Sequence, residues 1–190
     1  VAYDNGFGVA QDYPQASDWY RKAAAQGYAA AQTNLGHMYA NGQGVTQDHV
    51  QAFNWFSRAA EQGVAEAQYN VGLHYANGRG VSQDMYDNGL GVASDDRQAV
   101  IWYRKAAAQG DPDAQFNLGV MYANGLGVER DEMQAVNWYR KAAEQGLVDA
   151  QSNLGLMYAA GRGVSQDAEQ AINWWRKAAG QGYAAAQTNL

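Results

Sequence analysis

The chain has 190 residues, with 22 glycines, 2 prolines, 13 tyrosines, 6 tryptophans and no cysteine, and 47% of it is hydrophobic. The absence of cysteine excludes a disulfide framework, thiolate metal sites and a cysteine nucleophile. Thirteen basic against nineteen acidic residues give a net charge of −6, which argues against a surface built to neutralise phosphates. Glycine stands well above the ~7% usual in globular chains, yet the apolar and aromatic content is too high for a flexible linker.

The glycines fall in a repeat. The phrase Ala-Gln-x-Asn recurs with its glutamine at Gln32, Gln68, Gln115, Gln151 and Gln187, at intervals of 36, 47, 36 and 36 residues. Trp19, Trp55, Trp102, Trp138 and Trp174 keep the same register, as do Gln-Gly pairs ending at Gly27, Gly63, Gly110, Gly146 and Gly182.

Each unit reads as two helices. In the second, residues 29–40 form a helix A, 41–47 a turn and 48–62 a helix B. Helix A places Ala31, Leu35, Met38 and Tyr39 on one face, and helix B does the same with Ala52, Trp55, Phe56, Ala59 and Ala60. Large and small residues alternate, so a tryptophan can seat against its neighbour's alanines. Gly36, Gly72, Gly119 and Gly155 sit inside helices A, where glycine costs roughly 1 kcal/mol against alanine. Close approach of the partner helix is the expected return. Asp12, Asp48, Asp95, Asp131 and Asp167 precede helices B with a glutamine three residues on, a capping-box spacing. Arg21-Lys22, Arg104-Lys105, Arg140-Lys141 and Arg176-Lys177 fall late in helix B, near the negative end of its dipole. They read as a solvated outer face.

At this level of detail the chain resembles the Sel-1-like repeat family, relatives of the tetratricopeptide repeat. The residues carrying the resemblance are Ala31-Gln32-x-Asn34-Leu35-Gly36-x-x-Tyr39, Asn41-Gly42-x-Gly44-Val45-x-x-Asp48, then Ala52, Trp55, Ala59-Ala60 and Gln62-Gly63. It covers roughly residues 3–190. It implies an all-α fold: a right-handed superhelical solenoid of antiparallel helix pairs, a platform for protein partners without catalysis of its own. It also favours a bacterial periplasmic or secreted location over the cytoplasm. Some members bridge their helices with cysteines and a few are linked to β-lactam binding. Without cysteine, neither property carries over.

Residues 1–190 thus read as a single repeat domain of about five 36-residue repeats. The 47-residue interval holds two turn sequences in tandem, one running from Tyr75 to Asp84 and the next from Tyr86 to Asp95. An insertion of eleven residues explains it, as does loss of 25 from two periods. Either history leaves a long loop over about 77–95, of a length uncommon without a role or disorder. The favoured reading is a protruding loop with the stack continuing, the alternative a break in the superhelix.

Catalytic and metal readings find little support. His37, His49 and His74 share no spacing. Asp84, Asp87, Asp95 and Asp96 cluster, but the ligand alternation of a calcium loop is missing. Gly42/Gly44 and Gly125/Gly127 follow helices rather than strands and lack the P-loop lysine. No catalytic residue, metal or cofactor is expected. No run approaches the ~18 apolar residues of a membrane span. No signal pattern opens the chain, and Val1 in place of methionine points to a mature or excised form with any export signal upstream.

The positions that vary on helix A are Thr33 and His37, Tyr69 and Leu73, Phe116 and Val120, Ser152 and Leu156. On a concave face they would form a groove for a peptide or partner helix, with Tyr69, Leu73, Phe116, Val120 and Leu156 giving affinity and Thr33, His37 and Ser152 selectivity. Packing between repeats explains them equally well. The expected function is a protein-interaction scaffold or adaptor that is not an enzyme and takes no nucleic acid. The alternatives are a dedicated inhibitor or immunity protein for one bacterial effector and, more remotely, a β-lactam-binding or hydrolytic enzyme. Self-association through the terminal helices is a further expectation.

Overall fold

The computed structural model describes residues 2–5, 10–80 and 94–190. Helices account for all regular structure there: α1 (Ala2–Asn5), α2 (Tyr13–Ala25), α3 (Ala29–Asn41), α4 (His49–Glu61), α5 (Ala65–Asn77), α6 (Asp96–Ala108), α7 (Pro112–Asn124), α8 (Glu132–Glu144), α9 (Val148–Ala160), α10 (Ala168–Gly180) and α11 (Ala184–Thr188). Consecutive helices pack as antiparallel pairs. The chain divides into two compact units, Val1–Trp102 and Tyr103–Leu190. The expected loop over 77–95 falls largely outside the described residues, which stop at Gly80 and resume at Ser94.

The aspartates cap helices B as expected. Asp12, Asp95, Asp131 and Asp167 each accept from the backbone N–H three residues on, at 2.9–3.0 Å, and Asp48 accepts from both Val50 and Gln51. The reciprocal half of the capping box is replaced. Each cap residue's own N–H donates to a tyrosine carbonyl at the end of the preceding helix A: Asp12 to Tyr3, Asp48 to Tyr39, Asp131 to Tyr122 and Asp167 to Tyr158, at 2.8–3.0 Å. The glutamine is therefore not needed to satisfy that donor, and Gln15 instead donates to the Asp12 carboxylate at 2.9 Å. The same clamp holds across the long interval, where Asp95 N–H donates to the Tyr75 carbonyl at 2.9 Å. In the first unit, then, the second of the two tandem turns supplies the cap, and the helix A to helix B junction closes as it does elsewhere.

The buried glutamine of helix A does work the repeat pattern did not reveal. Gln32, Gln68, Gln115 and Gln151 donate to the carbonyls of Ala24, Ala60, Ala107 and Ala143 at 3.1–3.3 Å, a second donor for C-terminal groups of the preceding helix B that also accept from the N–H of Gly27, Gly63, Gly110 and Gly146. Their own side-chain oxygens accept from the next Gln-Gly: Gln62 to Gln32 at 2.7 Å, Gln145 to Gln115 at 2.8 Å and Gln181 to Gln151 at 3.0 Å. A ladder of amides thus links successive repeats: Gln32, Gln115 and Gln151 donate and accept at once, as a side-chain amide can, whereas Gln62, Gln145 and Gln181 donate.

The core lies where helix B meets helix A. The fully buried aromatic is the residue after the register tryptophan: Phe56, Tyr103 and Tyr139 are 1–4% exposed and Trp175 is 9% exposed. These rings stand against the helix A glycines. A Cβ added at Gly36 would lie 2.7 Å from the Phe56 ring, one at Gly119 2.5 Å from that of Tyr139, and one at Gly155 2.6 Å from Trp175 Cδ1. The register tryptophan does something else. Trp55 packs on the preceding cluster of Ala16, Tyr20, Leu35 and Met38, Trp102 on that of Ala52, Phe56 and Val71, and both are half-buried. Their outer faces carry cations: Lys22 stands 4.6 Å from the Trp19 ring centroid, Arg58 4.6 Å from Trp55, Lys141 4.3 Å from Trp138 and Lys177 4.1 Å from Trp174. The arginine before the lysine reaches the next helix A, Arg104 donating to the Tyr122 hydroxyl at 2.6 Å and Arg140 to that of Tyr158 at 3.1 Å. The basic pairs are therefore structural side chains as well as a solvated face.

Candidate functional site

Among the described residues no group of histidines and carboxylates is arranged to hold a metal ion, and no helix is long and apolar enough to cross a membrane. Asp95 and Asp96 open helix α6, whereas Asp84 and Asp87 lie outside the described residues.

The variable helix A positions divide by depth. Thr33 and Ser152 are buried. The Thr33 hydroxyl donates to the Ala29 carbonyl at 3.1 Å, and the Ser152 carbonyl accepts from the Trp175 indole at 3.2 Å. Phe116 and Val120 are half-buried on the cluster around Tyr139 and Leu154, with the Phe116 ring 5.7 Å from that of Tyr139. The smaller Ser152 faces the bulkier Trp175 at the equivalent place, so size is compensated across the helix pair. Tyr69 and Leu73 are half-buried. Leu156 is 47% exposed. His37 Nε2 lies 2.8 Å from Glu66 Oε1 on the next helix A. The first unit holds Thr33, His37, Tyr69 and Leu73, and the second holds Phe116, Val120, Ser152 and Leu156.

The histidines that share no sequence spacing converge in the first unit. His74 occupies the position that is Met38, Met121 and Met157 in other helices A. Its ring lies 5.8 Å from both Phe53 and Phe56 and 6.1 Å from His49, and His37 packs edge-on to Phe56 at 4.9 Å. His74 Nδ1 is 2.6 Å from the Arg79 carbonyl, which fixes the tautomer with the proton on Nδ1. Periodicity could not have found this cluster, because α4 presents His49 at its first turn, α3 presents His37 mid-helix and α5 presents His74 in its last turn.

Burial depresses the His74 pKa below its ordinary 6.5, outweighing the hydrogen bond to the Arg79 carbonyl that works against it, and the charges of His49 and Arg79 add to the depression. The folded state therefore prefers the neutral ring. Its contribution to stability is complete above the unfolded value and is lost as pH falls from about 6.5 through the depressed folded value. Acid titration of the unfolding midpoint is expected to show this loss in the wild type. In His74→Met, which restores the residue of the other repeats, that limb should be absent. An unchanged titration would show that His74 does not carry it.

Helix pairs joined by a short αL turn, locked by aspartate caps and an amide ladder, define an α-helical repeat protein whose units are built to stack. The Sel1 repeat model matches residues 1–28, 29–64, 65–85, 84–111, 112–147 and 148–183, and the chain belongs to the Sel1 repeat family. Two of these matches, 65–85 and 84–111, meet within the 47-residue interval, the first containing its helix A and the second its helix B. The crystal structure of a Sel1 repeat protein from Oxalobacter formigenes is 37% identical, covers 97% of this chain and 69% of its own, and superposes with a TM-score of 0.86. A protective antigen of uropathogenic Escherichia coli strains with an SLR fold is 37% identical over 100% of this chain and 54% of its own, with a TM-score of 0.42. An immunity protein from Pseudomonas aeruginosa is similar at 24% identity over 94% of this chain and 62% of its own, with a TM-score of 0.57, which speaks for the fold alone. No curated protein matches the chain. The chain is a Sel1-repeat scaffold.

Proposed function

We propose that the chain is an adaptor that binds a protein or peptide partner through the accessible side of its helices A and catalyses no reaction. The observation that carries this reading is a division of labour. Residues repeated in every unit are consumed in closing the fold, through caps, tyrosine carbonyls, glutamines and the glycines under aromatic rings. The position occupied by His37, Leu73, Val120 and Leu156 varies in chemistry and stays half-buried or exposed. Varied side chains on a uniform frame are what a recognition surface requires, and Sel1 repeats generally mediate protein binding.

The test is partner capture by the purified chain. Leu73→Glu and Leu156→Glu are expected to lose the captured partner without lowering the unfolding midpoint. Phe116→Ser is expected to lower the midpoint, since its ring packs on Tyr139. Unchanged capture by both glutamate variants would overturn the proposed surface, and turnover in a panel of hydrolase and β-lactam assays would overturn the non-catalytic reading.

A further inference from the structure

The repeats provide an internal control for one site. In three turns, the residue between the two turn glycines follows the first residue of an earlier helix B by thirty positions, and the second turn glycine abuts that residue's backbone: Gln43 with Tyr13, Arg79 with His49, and Arg162 with Glu132. The same backbone approach recurs in both units. A Cβ at Gly80 would strike the His49 carbonyl, just as one at Gly163 would strike that of Glu132. In the second unit the pairing is complete: Arg162 Nε lies 2.9 Å and Arg130 Nη2 2.6 Å from Glu132 Oε1, and these hydrogen bonds, Arg130 first, hold the Glu132 carboxyl below its ordinary range.

In the first unit the carboxylate is missing. His49 stands where Glu132 stands, and Arg79 keeps its guanidinium without a carboxylate among the described residues. A cavity of about 170 Å³ opens at this place, lined by Arg79, His49 and His74, with the amides of Asn41 and Asn77 and the apolar Leu73. Among the described residues no aspartate or glutamate lines it, although the chain as a whole carries −6. It is smaller than the ~300–1,000 Å³ of drug-sized sites and matches the scale of one side chain.

We propose that this cavity binds the side-chain carboxylate of an acidic residue on a partner peptide, which completes in trans the ion pair that Glu132 completes in cis in the second unit. Leu73 places the pocket beside the accessible helix A position, so the inference deepens the binding function proposed above and rests on it. A charge-assisted hydrogen bond of Arg79 to the incoming carboxylate supplies the affinity, and the amide donors fix its orientation.

The experiment uses the full chain and an unlabelled peptide, blocked at both ends, with one central glutamate beside a leucine, titrated by calorimetry. The wild type is expected to bind it at low ionic strength, to lose affinity as salt rises, and to bind the glutamine counterpart about tenfold or more weakly. Arg79→Gln should abolish the preference. His49→Glu should do so too, by supplying the carboxylate in cis, with an unfolding midpoint no lower than that of the wild type. Glu132→His transfers the first unit's arrangement to the second and should raise the stoichiometry from one peptide to two. The proposal falls if the glutamine peptide binds equally or if Arg79→Gln and His49→Glu bind as the wild type does. Tighter binding of a peptide whose only carboxylate is its C-terminus would overturn the side-chain assignment. If Leu73→Glu and Leu156→Glu lose the partner while the wild type ignores the glutamate peptide, the inference fails and the adaptor reading survives. If the peptide binds but capture ignores those variants, the adaptor surface fails instead.

Discussion

Gly163→Ala is expected to destabilise the second unit by about 3 kcal/mol or more, read as a shift in the midpoint of chemical unfolding. Two costs add. Gly163 has φ +67°, in the left-handed region, where an L side chain costs roughly 1–2 kcal/mol. Its Cβ would also meet the Glu132 carbonyl and the Met133 amide, which are backbone of a capped first turn and cannot rotate away as a side chain could. Relief requires moving the turn off helix α8, at an overpacking cost of about 1–3 kcal/mol. Gly146→Ala separates the terms, because Gly146 has φ +95° but nothing within 4 Å of its Cβ position. It should show the conformational cost alone. Equal losses in the two variants would refute the steric contact with Glu132.

Tyr139→Ala should cost about 3–5 kcal/mol, as for other large aromatic truncations in cores. The ring is 4% exposed, lies between α7 and α8 against Gly119, and packs with Ala135, Leu154 and Met157. Burial also raises its hydroxyl pKa to about 12, so the phenol stays neutral throughout the range in which stability is measured. The informative measurement is the cycle with Gly119→Ala. Alone, that change gains roughly 1 kcal/mol of helix propensity but forces a methyl into the Tyr139 ring, so a net loss is expected. With Tyr139 already truncated the obstruction is gone, and Gly119→Ala should become neutral or stabilising. Additive effects in the cycle would mean that the glycine does not exist to admit the ring.

The repeat phrase is legible in the sequence, whereas its wiring is not. The helix ends were within one or two residues of their sequence assignment, since caps and αL glycines act over a few positions. The intervals of 36 and 47 revealed which residues mattered. They did not reveal which partner each one takes. Trp55 and Phe56 are neighbours with similar apolar character, and only the crossing of α3 and α4 decides that Phe56 enters the core while Trp55 bridges to the preceding cluster. Thr33 and Ser152 shared a stripe with Leu156 in the sequence, but the helix pair buries them and leaves Leu156 accessible.

By itself the sequence determined the all-α class, the helix pairs, the capping aspartates and the membership in a repeat family, because each depends on groups close together in the chain. The tertiary structure decided what spans about twenty residues or more: the links between glutamines of successive repeats, His37 and His74 packed against Phe56, and the arginine that has a carboxylate in the second unit and, among the described residues, none in the first. A one-dimensional period brings equivalent residues into register. Hydrogen bonds and ion pairs act over a few ångströms, so it takes the packed helices to say which residues of different repeats meet.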